Sequence, residues 1–412
     1  MPKTATLGFA ALAAVAWLGA VGHEWRMLEP SGSGPAPRQG HAAVIDAAGT
    51  GMIAFGGGPD LWNDPGPYLS DLWRLDLTTL SWEEIRPTID GAWPSARRGH
   101  TAVMHAEDMI VFGGENGTVF SELWRFSVSA RSWEQLTPTT STKPPVRVYH
   151  TAVMAAKSMI IFGGTNWDWN LGLPHFNDLW HFDVATSQWE QWTCDGCTKP
   201  PARYAHSAVL DAAGQAMLVF GGFSFDGFTG LSDLWRLDIA TRTWTNLIAL
   251  ADAAWPSSRY HHTAVTDALG ASMLVCGGKS GISGEHLGDL WRLDIASTSW
   301  HQLTAQSLEA AWHWPSARYL HTSVTDATRH GMLTFAGSAK APPGEVPRYL
   351  SDIWFFEEPV VTSTTTSVTA STTTATTATT TLTSVTSTTT SATMTATSTR
   401  TSVTWSTTTA TT

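Results

Sequence analysis

The chain has 412 residues, with 24 basic and 35 acidic side chains and a formal net charge of −11 at pH 7. It contains no run of Lys and Arg, so its charge argues against a nucleic-acid-binding surface. Three cysteines are too few to hold together a small fold that depends on disulfide bonds.

The first element in chain order is an uncharged stretch. Residues 4–22 follow Lys3, are rich in Ala and Gly, and end on small residues before His23. We predict that residues 1–22 form a secretory signal peptide, because a short apolar run with a small-residue cleavage site is typical of one. An uncleaved membrane anchor is the alternative, since the run approaches the length that spans a bilayer. No later segment is apolar enough to span.

From residue 23 to residue 358 the chain repeats one module six times, with 50 to 59 residues between successive His. Each copy opens on Arg-x-x-His, at Arg38/His41, Arg97/His100, Arg147/His150, Arg203/His206, Arg259/His262 and Arg318/His321. A small pair follows, which is Gly-Gly in five copies and Ala336-Gly337 in the last. Then comes an acid-Leu/Ile-Trp step, with the acids Asp71, Glu122, Asp178, Asp233, Asp289 and Asp352. Periods of this length indicate a solenoid, a propeller or an array.

The patterns inside a module are typical of strands. The apolar run 109–112 stops at Gly113-Gly114, and residues 75–77 alternate between apolar and polar. We name the four predicted strands A (Arg-x-x-His), B (Met to Gly-Gly), C (acid-Leu-Trp) and D (Ser-Trp). A sheet of four strands that is repeated radially is a propeller blade.

The Gly pair, the Asp-Leu-Trp step and the trailing Trp resemble the repeats of kelch β-propellers. The resemblance covers residues 23–358 and implies an all-β, six-bladed kelch β-propeller. The sixth copy has no trailing Trp after Trp354, whereas Glu24-Trp25 resembles the Ser132-Trp133 pair of strand D. We therefore predict that an N-terminal strand closes the last blade, which removes exposed strand edges.

Residues 359–412 are dominated by Thr and Ser, with Arg400 as their only charge. We predict a disordered, low-complexity tail, because such a composition cannot form a core. In a secreted chain it resembles an O-glycosylated stalk, and an unmodified linker is the alternative. Asn116 opens an N-glycosylation sequon. Cys194 and Cys197 are expected to form a small local disulfide.

Features that all modules share are most simply explained by the packing that every blade needs. We predict that the six His are buried and hydrogen-bonded against the neighbouring blade's Trp, and that no metal or cofactor is bound. Tyr149, Tyr204, Tyr260 and Tyr319, which lie between Arg and His, are expected to share a structural role. The six Arg are predicted to pair with the six acids and to fix the spacing of the blades. The kelch resemblance implies an alternative, an anion-binding ring for acidic peptides formed by Arg38, Arg97, Arg147, Arg203, Arg259 and Arg318.

Aromatic residues outside the shared motif concentrate in the B–C and D–A loops, which emerge on one face of a propeller. The predicted ligand-binding residues of this loop face are Trp62, Tyr68, Trp93, Trp167, Trp169, Phe225, Phe228, Trp255 and Trp314. Such a face suits stacking on sugar rings or contact with a protein. For Trp93, Trp255 and Trp314, which precede a Pro, packing onto a neighbouring blade is an equal alternative.

Together these features predict a monomeric, secreted or cell-surface propeller that binds a protein or a glycan through the loop face. The alternative is an extracellular carbohydrate-active enzyme, because the resemblance includes a copper-radical sugar oxidase and a sialic-acid isomerising protein. No catalytic residue is predicted, since no nucleophile–base motif is found. The Glu-x3-Asp-x3-His signature of kelch specifier proteins is not found either. An intracellular adaptor is a third interpretation, which the leader and the tail disfavour.

Overall fold

The computed structural model describes residues 24–58, 67–86, 92–167, 175–193, 196, 198–247, 254–303, 314–340 and 348–358, and the backbone of three short tail strands. Within these ranges all regular structure is β, arranged as six antiparallel sheets that follow one another along the chain. Each sheet contains strands A, B, C and D in that spatial order. The prediction of an all-β, six-bladed propeller is confirmed.

The strands are numbered in chain order. The first strand and blades 1 to 3 comprise β1 (Glu24–Leu28), β2 (Ala42–Ile45), β3 (Gly51–Gly57), β4 (Leu69–Asp76), β5 (Ser81–Glu84), β6 (Thr101–His105), β7 (Asp108–Phe112), β8 (Leu123–Ser127), β9 (Ser132–Leu136), β10 (Thr151–Ala155), β11 (Ser158–Phe162), β12 (Leu179–Asp183) and β13 (Gln188–Trp192). Blades 4 to 6 comprise β14 (Ser207–Leu210), β15 (Ala216–Ser224), β16 (Thr229–Asp238), β17 (Thr243–Asn246), β18 (Arg259–Tyr260), β19 (Thr263–Thr266), β20 (Ser272–Ser280), β21 (His286–Asp294), β22 (Ser299–Leu303), β23 (Arg318–Tyr319), β24 (Thr322–Asp326), β25 (Gly331–Ala339) and β26 (Arg348–Glu357).

Strands B and C differ in length around the ring. In blades 2 and 3 they have 5 residues each. In blades 4 to 6 they have 9 or 10 residues, because pairing resumes after a β-bulge at the small pair. The second residue of the pair has a φ near +95° to +101°, a conformation that glycine adopts without steric cost. Three long B–C hairpins therefore extend from one end of these blades.

The last blade is closed by the N-terminal strand, as predicted. β1 pairs antiparallel with β26, and Trp25 lies opposite Phe356. The Trp25 side chain is buried, and its ring centroid lies 5.3 Å from that of Phe356 and 6.3 Å from that of Trp314. The first and last strands of the propeller are therefore held in one sheet.

The core lies between neighbouring blades. The Phe that ends strand B packs against the strand-D Trp of the next blade, at Phe55–Trp133, Phe112–Trp189, Phe162–Trp244, Phe220–Trp300 and Phe335–Trp82, with centroids 5.0 to 5.4 Å apart. Blade 5 has the buried Cys276 at this position instead. Burying each such ring contributes about 1.5–3 kcal/mol, so the interfaces between blades hold much of the stabilising surface.

The chain divides after Glu358 into the propeller and a second unit. In that unit Thr365–Thr369 (β27) pairs with Thr383–Ser384 (β28) and, in parallel, with Arg400–Thr404 (β29). The parallel pair joins two copies of Ser-Val-Thr. The tail is consistent with the predicted disordered segment. In the part of the chain that the structure describes, no helix is long and apolar enough to cross a membrane.

Candidate functional site

The recurring Arg is bound within its own blade. In blade 4, Arg203 donates from Nη1 to Asp233 Oδ1 at 2.7 Å and from Nη2 to Oδ2 at 2.6 Å. Its Nη1 also donates to the Gly221 carbonyl at 2.9 Å. Asp233 accepts a further bond from the Trp235 indole at 2.6 Å. Equivalent pairs occur in all six modules, at Arg38–Asp71, Arg97–Glu122, Arg147–Asp178, Arg203–Asp233, Arg259–Asp289 and Arg318–Asp352.

These pairs correct two expectations. The six Arg side chains are at most 1% exposed, so the anion-binding ring has no exposed guanidinium to offer a ligand. The pairs also join strands A and C of one blade, so they do not set the spacing between blades. Burial raises the pKa of Asp71, but the hydrogen bond and charge of Arg38 outweigh burial and leave that pKa below its usual value. Pairing of every Arg with an acid, by contrast, is as predicted.

A closed circle of backbone hydrogen bonds sets the spacing of the blades. The residue before each motif His donates its N–H to the carbonyl of its counterpart in the preceding blade, over 2.8 to 3.0 Å, at Gly40, Gly99, Tyr149, Ala205, His261 and Leu320. All six have φ between +53° and +64°. Four are not Gly, and the left-handed conformation costs such residues about 1–2 kcal/mol each. Closing the circle around the axis offsets that strain.

The Gly pair adds a second link between blades. The Gly57 N–H donates to the carbonyl of Arg97, in the next blade, over 2.8 Å. A Cβ atom on Gly57 would lie 2.9 Å from the Cβ of His41 and 2.9 Å from the carbonyl oxygen of Gln39. Only glycine leaves room for this approach, which explains why this residue is Gly in all six modules.

The motif His side chains are buried, and five bond to a hydroxyl in the preceding blade. The Nε2···Oγ distances are 2.7 to 3.0 Å, at His41–Thr322, His150–Thr101, His206–Thr151, His262–Ser207 and His321–Thr263. The ring packs on the strand-B Phe of the preceding blade, as His150 does on Phe112 at 5.3 Å, and not on a Trp as expected. Burial, followed by the charge of Arg97, lowers the pKa of His100 to about 3.

The six His and the residues before them line a cavity of about 120 Å³ on the axis. Because burial lowers the pKa of every one of these His, they line it as neutral rings. Among the described residues, no group of three or more His, Cys, Asp or Glu is arranged to hold a metal ion.

Above this level lies the channel mouth. We define it by two parts of each module, which are the residue after the motif Arg and the segment after the small pair. In all six modules the backbone of that residue pairs with the backbone of that segment. The residues after Arg are Gln39, Arg98, Val148, Tyr204, Tyr260 and Tyr319. They vary from module to module, whereas the Arg, His and acid do not. The mouth is therefore where one blade differs chemically from the next.

An aromatic cluster occupies the mouth at blades 3 and 4, formed by Trp167, His175, Tyr204, Phe225 and Phe228. Phe225 stacks on His175 with centroids 4.1 Å apart and planes at 4°, and Tyr204 stacks on the same His175 at 5.3 Å. Trp167 meets Tyr204 edge-on at 5.3 Å. Phe228 is 71% exposed and contacts Phe225 at 4.9 Å. The structure thus brings three of the sequence-predicted loop residues together.

The opposite side of the mouth, at blades 5, 6, 1 and 2, is more polar. The Arg98 guanidinium donates to Glu115 Oε1 at 3.1 Å and lies over the ring of Tyr68, a predicted loop residue, at 5.7 Å. The Lys279 Nζ lies over the Tyr319 ring at 5.0 Å, and His286 meets the same ring at 4.6 Å.

The Trp residues that precede a Pro have other contacts. Trp93 donates to the carbonyl of Ser70 at 2.7 Å and packs on Trp133 at 5.8 Å. Trp255 repeats this arrangement with the carbonyl of Ser232 at 2.6 Å and Trp300 at 5.8 Å, and Trp314 packs on Trp25 at 6.3 Å. These contacts are those of the packing alternative and do not support ligand binding by the three indoles.

Several predicted positions stay untested. Trp62, Trp169, Cys194 and Cys197 lie outside the described residues. Asn116 is half-buried in the B–C turn of blade 2, where its N–H donates to the carbonyl of Thr118 at 3.1 Å, and its glycosylation stays a prediction.

Sequence reasoning missed several residues of the mouth, among them Gln39, His175, Lys279 and Tyr204. Tyr204 was expected to share a structural role with the other Tyr of the Arg-to-His step. In the structure Tyr149 belongs to the backbone circle, whereas Tyr204, Tyr260 and Tyr319 belong to the mouth. The available signal was the variable position directly after an invariant Arg.

Comparisons with known proteins agree with this architecture. The family model described as the KLHDC2/KLHL20/DRC7 Kelch-repeats domain matches residues 10–211 and 175–313. Kelch domain-containing protein 10 of Xenopus tropicalis is 28% identical over 325 residues, which cover 73% of this chain and 74% of that protein. Leucine-zipper-like transcriptional regulator 1 of Mus musculus is 34% identical over 287 residues, which cover 68% of this chain and 33% of that protein.

The family match ends at residue 313 and so spans the first five modules; the sixth module repeats their Arg–acid pair and strand order. Propellers of this kind generally bind proteins. The chain belongs to the kelch-repeat family of β-propeller proteins.

Proposed function

We propose that this chain is a secreted or cell-surface binding module that takes a segment of a partner protein into the channel mouth. The observation that carries the proposal is the aromatic cluster, in which Phe228 is 71% exposed. The six Arg and the six acids that the modules share already bond to one another, so these charged groups are occupied. The mouth is the part that varies.

The arrangement of the mouth suits a protein ligand. Aromatic side chains are the commonest residues that contribute strongly to binding at protein interfaces. Covering Phe228 would contribute about 1.5–3 kcal/mol. The backbone circle, over which Tyr149 and His261 meet with centroids 4.7 Å apart, forms the floor of the mouth. A ligand therefore rests on the mouth and contacts several blades at once.

The leader and the tail support the location. Residues 1–22 have the pattern of a secretory signal, and residues 359–412 have the composition of a Thr/Ser stalk. A stalk of this kind would hold the propeller away from a surface, with the mouth accessible to a partner. The full-length chain, expressed with a C-terminal tag in a eukaryotic host, is expected in the medium with its N terminus at His23.

The test is binding of this secreted full-length chain to an array of random dodecapeptides and to a glycan array. The variants are Phe228→Ser and Trp167→Ala, and the matched control is Leu269→Ser. Leu269 is 77% exposed in the A–B turn of blade 5, at the opposite end of strand B. We expect the two mouth variants to lose at least about ten-fold in peptide affinity, which corresponds to about 1.4 kcal/mol.

The control is expected to bind peptides like the wild type. Binding that responds equally to Leu269→Ser and to Phe228→Ser would contradict a site at the mouth. Binding to glycans alone, lost in Trp167→Ala, would replace the protein ligand with a carbohydrate.

A further inference from the structure

One seam of the ring, meaning the packed contact between two neighbouring blades, departs from the other five. At those five a Phe that ends strand B packs on the strand-D Trp of the next blade. At the seam between blades 5 and 6 the Phe is replaced by Cys276, which lies with Trp25 in one buried cluster. This seam therefore lacks one ring pair and buries less apolar surface at that point.

The same seam has a second departure at Glu358, the first residue after strand C of blade 6. The other five modules place an apolar residue here, which packs on the buried cluster of the seam with the preceding blade, at Leu77, Val128, Val184, Ile239 and Ile295. The backbone bonds confirm the equivalence. The Glu358 N–H donates to the His330 carbonyl at 3.0 Å, as the Ile295 N–H does to the Ala271 carbonyl at 3.1 Å. A carboxyl group thus replaces an aliphatic side chain in this seam.

The surroundings of Glu358 in blade 5 do not compensate a negative charge. The Oε1 atom of Glu358 is buried and has no hydrogen-bond partner. Across the seam, Asp267 is 6% exposed and acts on Glu358 as a charge of the same sign. Arg292 serves other groups, since its Nη2 lies 3.6 Å from Asp267 Oδ2 and its Nε donates to Ser272 Oγ at 2.9 Å.

The charged groups of blade 6 are engaged elsewhere. Asp326 and Arg329 form an ion pair at 3.6 Å within the A–B turn. Glu24 on β1 and Glu357 on β26 lie opposite each other, and both are exposed to solvent. An ionised Glu358 would therefore be a buried charge without a matching partner, and such a charge is costly to keep away from water.

We propose that ionisation of Glu358 loosens the seam between blades 5 and 6, so that this seam is a pH-sensitive joint of the ring. A protonated carboxyl group stays in the closed seam, whereas an ionised one is stabilised when the seam opens and water reaches it. The joint is separate from the mouth and does not depend on the ligand that the mouth takes.

The direction of the pH dependence follows from the two states of the seam. Burial, followed by the charge of Asp267, raises the pKa of Glu358 to about 7 in the closed seam, and the charge of Arg292 acts the other way. In the open seam the carboxyl group is hydrated and has an ordinary, lower pKa. The closed seam therefore loses stability as the pH rises through about 7, and little more is lost above that value.

Cys276 supplies a probe inside the seam. It is 5% exposed, and burial raises the pKa of its thiol to about 12, so it is unreactive while the seam is closed. The full-length chain is treated with iodoacetamide at pH 6 to pH 8, and mass spectrometry follows alkylation of the peptide that contains Cys276. Wild type, Glu358→Gln and Glu358→Ile are compared at each pH, so that the pH dependence of the thiol itself cancels.

We expect the ratio of the wild-type rate to the Glu358→Gln rate to rise about ten-fold from pH 6 to pH 8, mostly below pH 7.5. Glu358→Ile, which restores the residue type of Ile295, is expected to react slowly throughout. The matched control is Glu357→Gln at the exposed preceding position, which is expected to react like the wild type. The same ratio at pH 6 and pH 8, or an equal effect of Glu357→Gln, would overturn the proposal.

Hydrogen exchange distinguishes a local joint from opening of the whole ring. The Leu320 N–H donates to the His261 carbonyl across this seam, and the Tyr149 N–H donates to the Gly99 carbonyl across the seam between blades 2 and 3. At pH 8 the peptide that contains Leu320 is expected to be less protected in the wild type than in Glu358→Gln, with no difference for the peptide that contains Tyr149. Equal loss of protection in both peptides would overturn a local joint.

Discussion

His100 is the one motif histidine of the described residues whose Nε2 lacks a bond to a hydroxyl. The hydroxyl comes from the residue after the His of the preceding blade, which is Thr or Ser in five modules. In blade 1, which precedes the blade of His100, that residue is Ala42. The ring of His–hydroxyl bonds is therefore interrupted between blades 1 and 2, and a buried nitrogen is left unbonded there.

Replacing Ala42 by Thr should complete this ring. Thr101 occupies the same register position in blade 2, opposite the last Phe of strand B, so the site accommodates a Thr. We expect Ala42→Thr to raise the free energy of unfolding by about 1 kcal/mol, measured by urea denaturation. Thr151→Ala, which removes the bond to His206, is expected to lower it by about 1–2 kcal/mol. A destabilised Ala42→Thr would contradict the interpretation.

Pairing of the six Arg with six acids was predictable at this scale, because both recur at every module. The third partner of each acid was not. The Trp two residues on donates to the same carboxylate, as Trp73 does to Asp71 at 2.7 Å. Sequence spacing placed that Trp on strand C but said nothing about which atom it would reach, because an indole N–H can bond to any nearby acceptor.

Among the elements, the short strand β1 closes the ring. Its five residues supply strand D of blade 6, and its Trp25 takes the place that Trp133 takes in blade 2. Its role can be predicted from the sequence, since Trp25 lies before the first module just as the other strand-D Trp residues lie before the next module. Its partner, β26, lies at the far end of the propeller.

Trp25→Ala should therefore weaken closure of the ring. We expect a loss of about 3–5 kcal/mol in the free energy of unfolding, as for other buried Trp, together with a lower melting temperature. Loss of β1 would also expose the edge of β26, so we expect self-association on size-exclusion chromatography. Glu24→Ala, at an exposed position of the same strand, is the matched control. Equal stability of the two variants would show that β1 is dispensable.

At the scale of the whole molecule, buried neutral histidines make the propeller sensitive to acid. Burial is the largest cause that lowers the pKa of all six motif His, followed by the charge of the Arg in the same module. In the unfolded chain each of these six His binds a proton near pH 6.5, whereas in the folded chain they stay neutral at that pH. The stabilisation is therefore complete above pH 6.5 and decreases as the pH falls below it.

Six protons correspond to a slope of about 8 kcal/mol per pH unit once the unfolded histidines are charged. Glu358 acts in the opposite direction with one proton, because burial raises its pKa to about 7. Burial also lowers the pKa of His175 and His286 to about 4 and that of His261 to about 3. We expect cooperative unfolding between pH 6.5 and pH 4, with net uptake of about eight protons. Calorimetry at pH 5.5 in buffers of different ionisation enthalpy measures this uptake. Unfolding without proton uptake would contradict neutral histidines.

The sequence by itself determined the number of blades, the four strands of each and the origin of the closing strand, because repeated motifs and hydrophobic spacing are local properties of the chain. Only the tertiary structure decided which groups remain for a ligand. His41 bonds to Thr322, which is 281 residues away, and the circle that joins Gly40 to Leu320 exists only once the ring is closed. Closure of the ring bonds shared groups of one blade to those of the next. It also brings one variable residue of each blade together at the mouth, an arrangement that no single module contains.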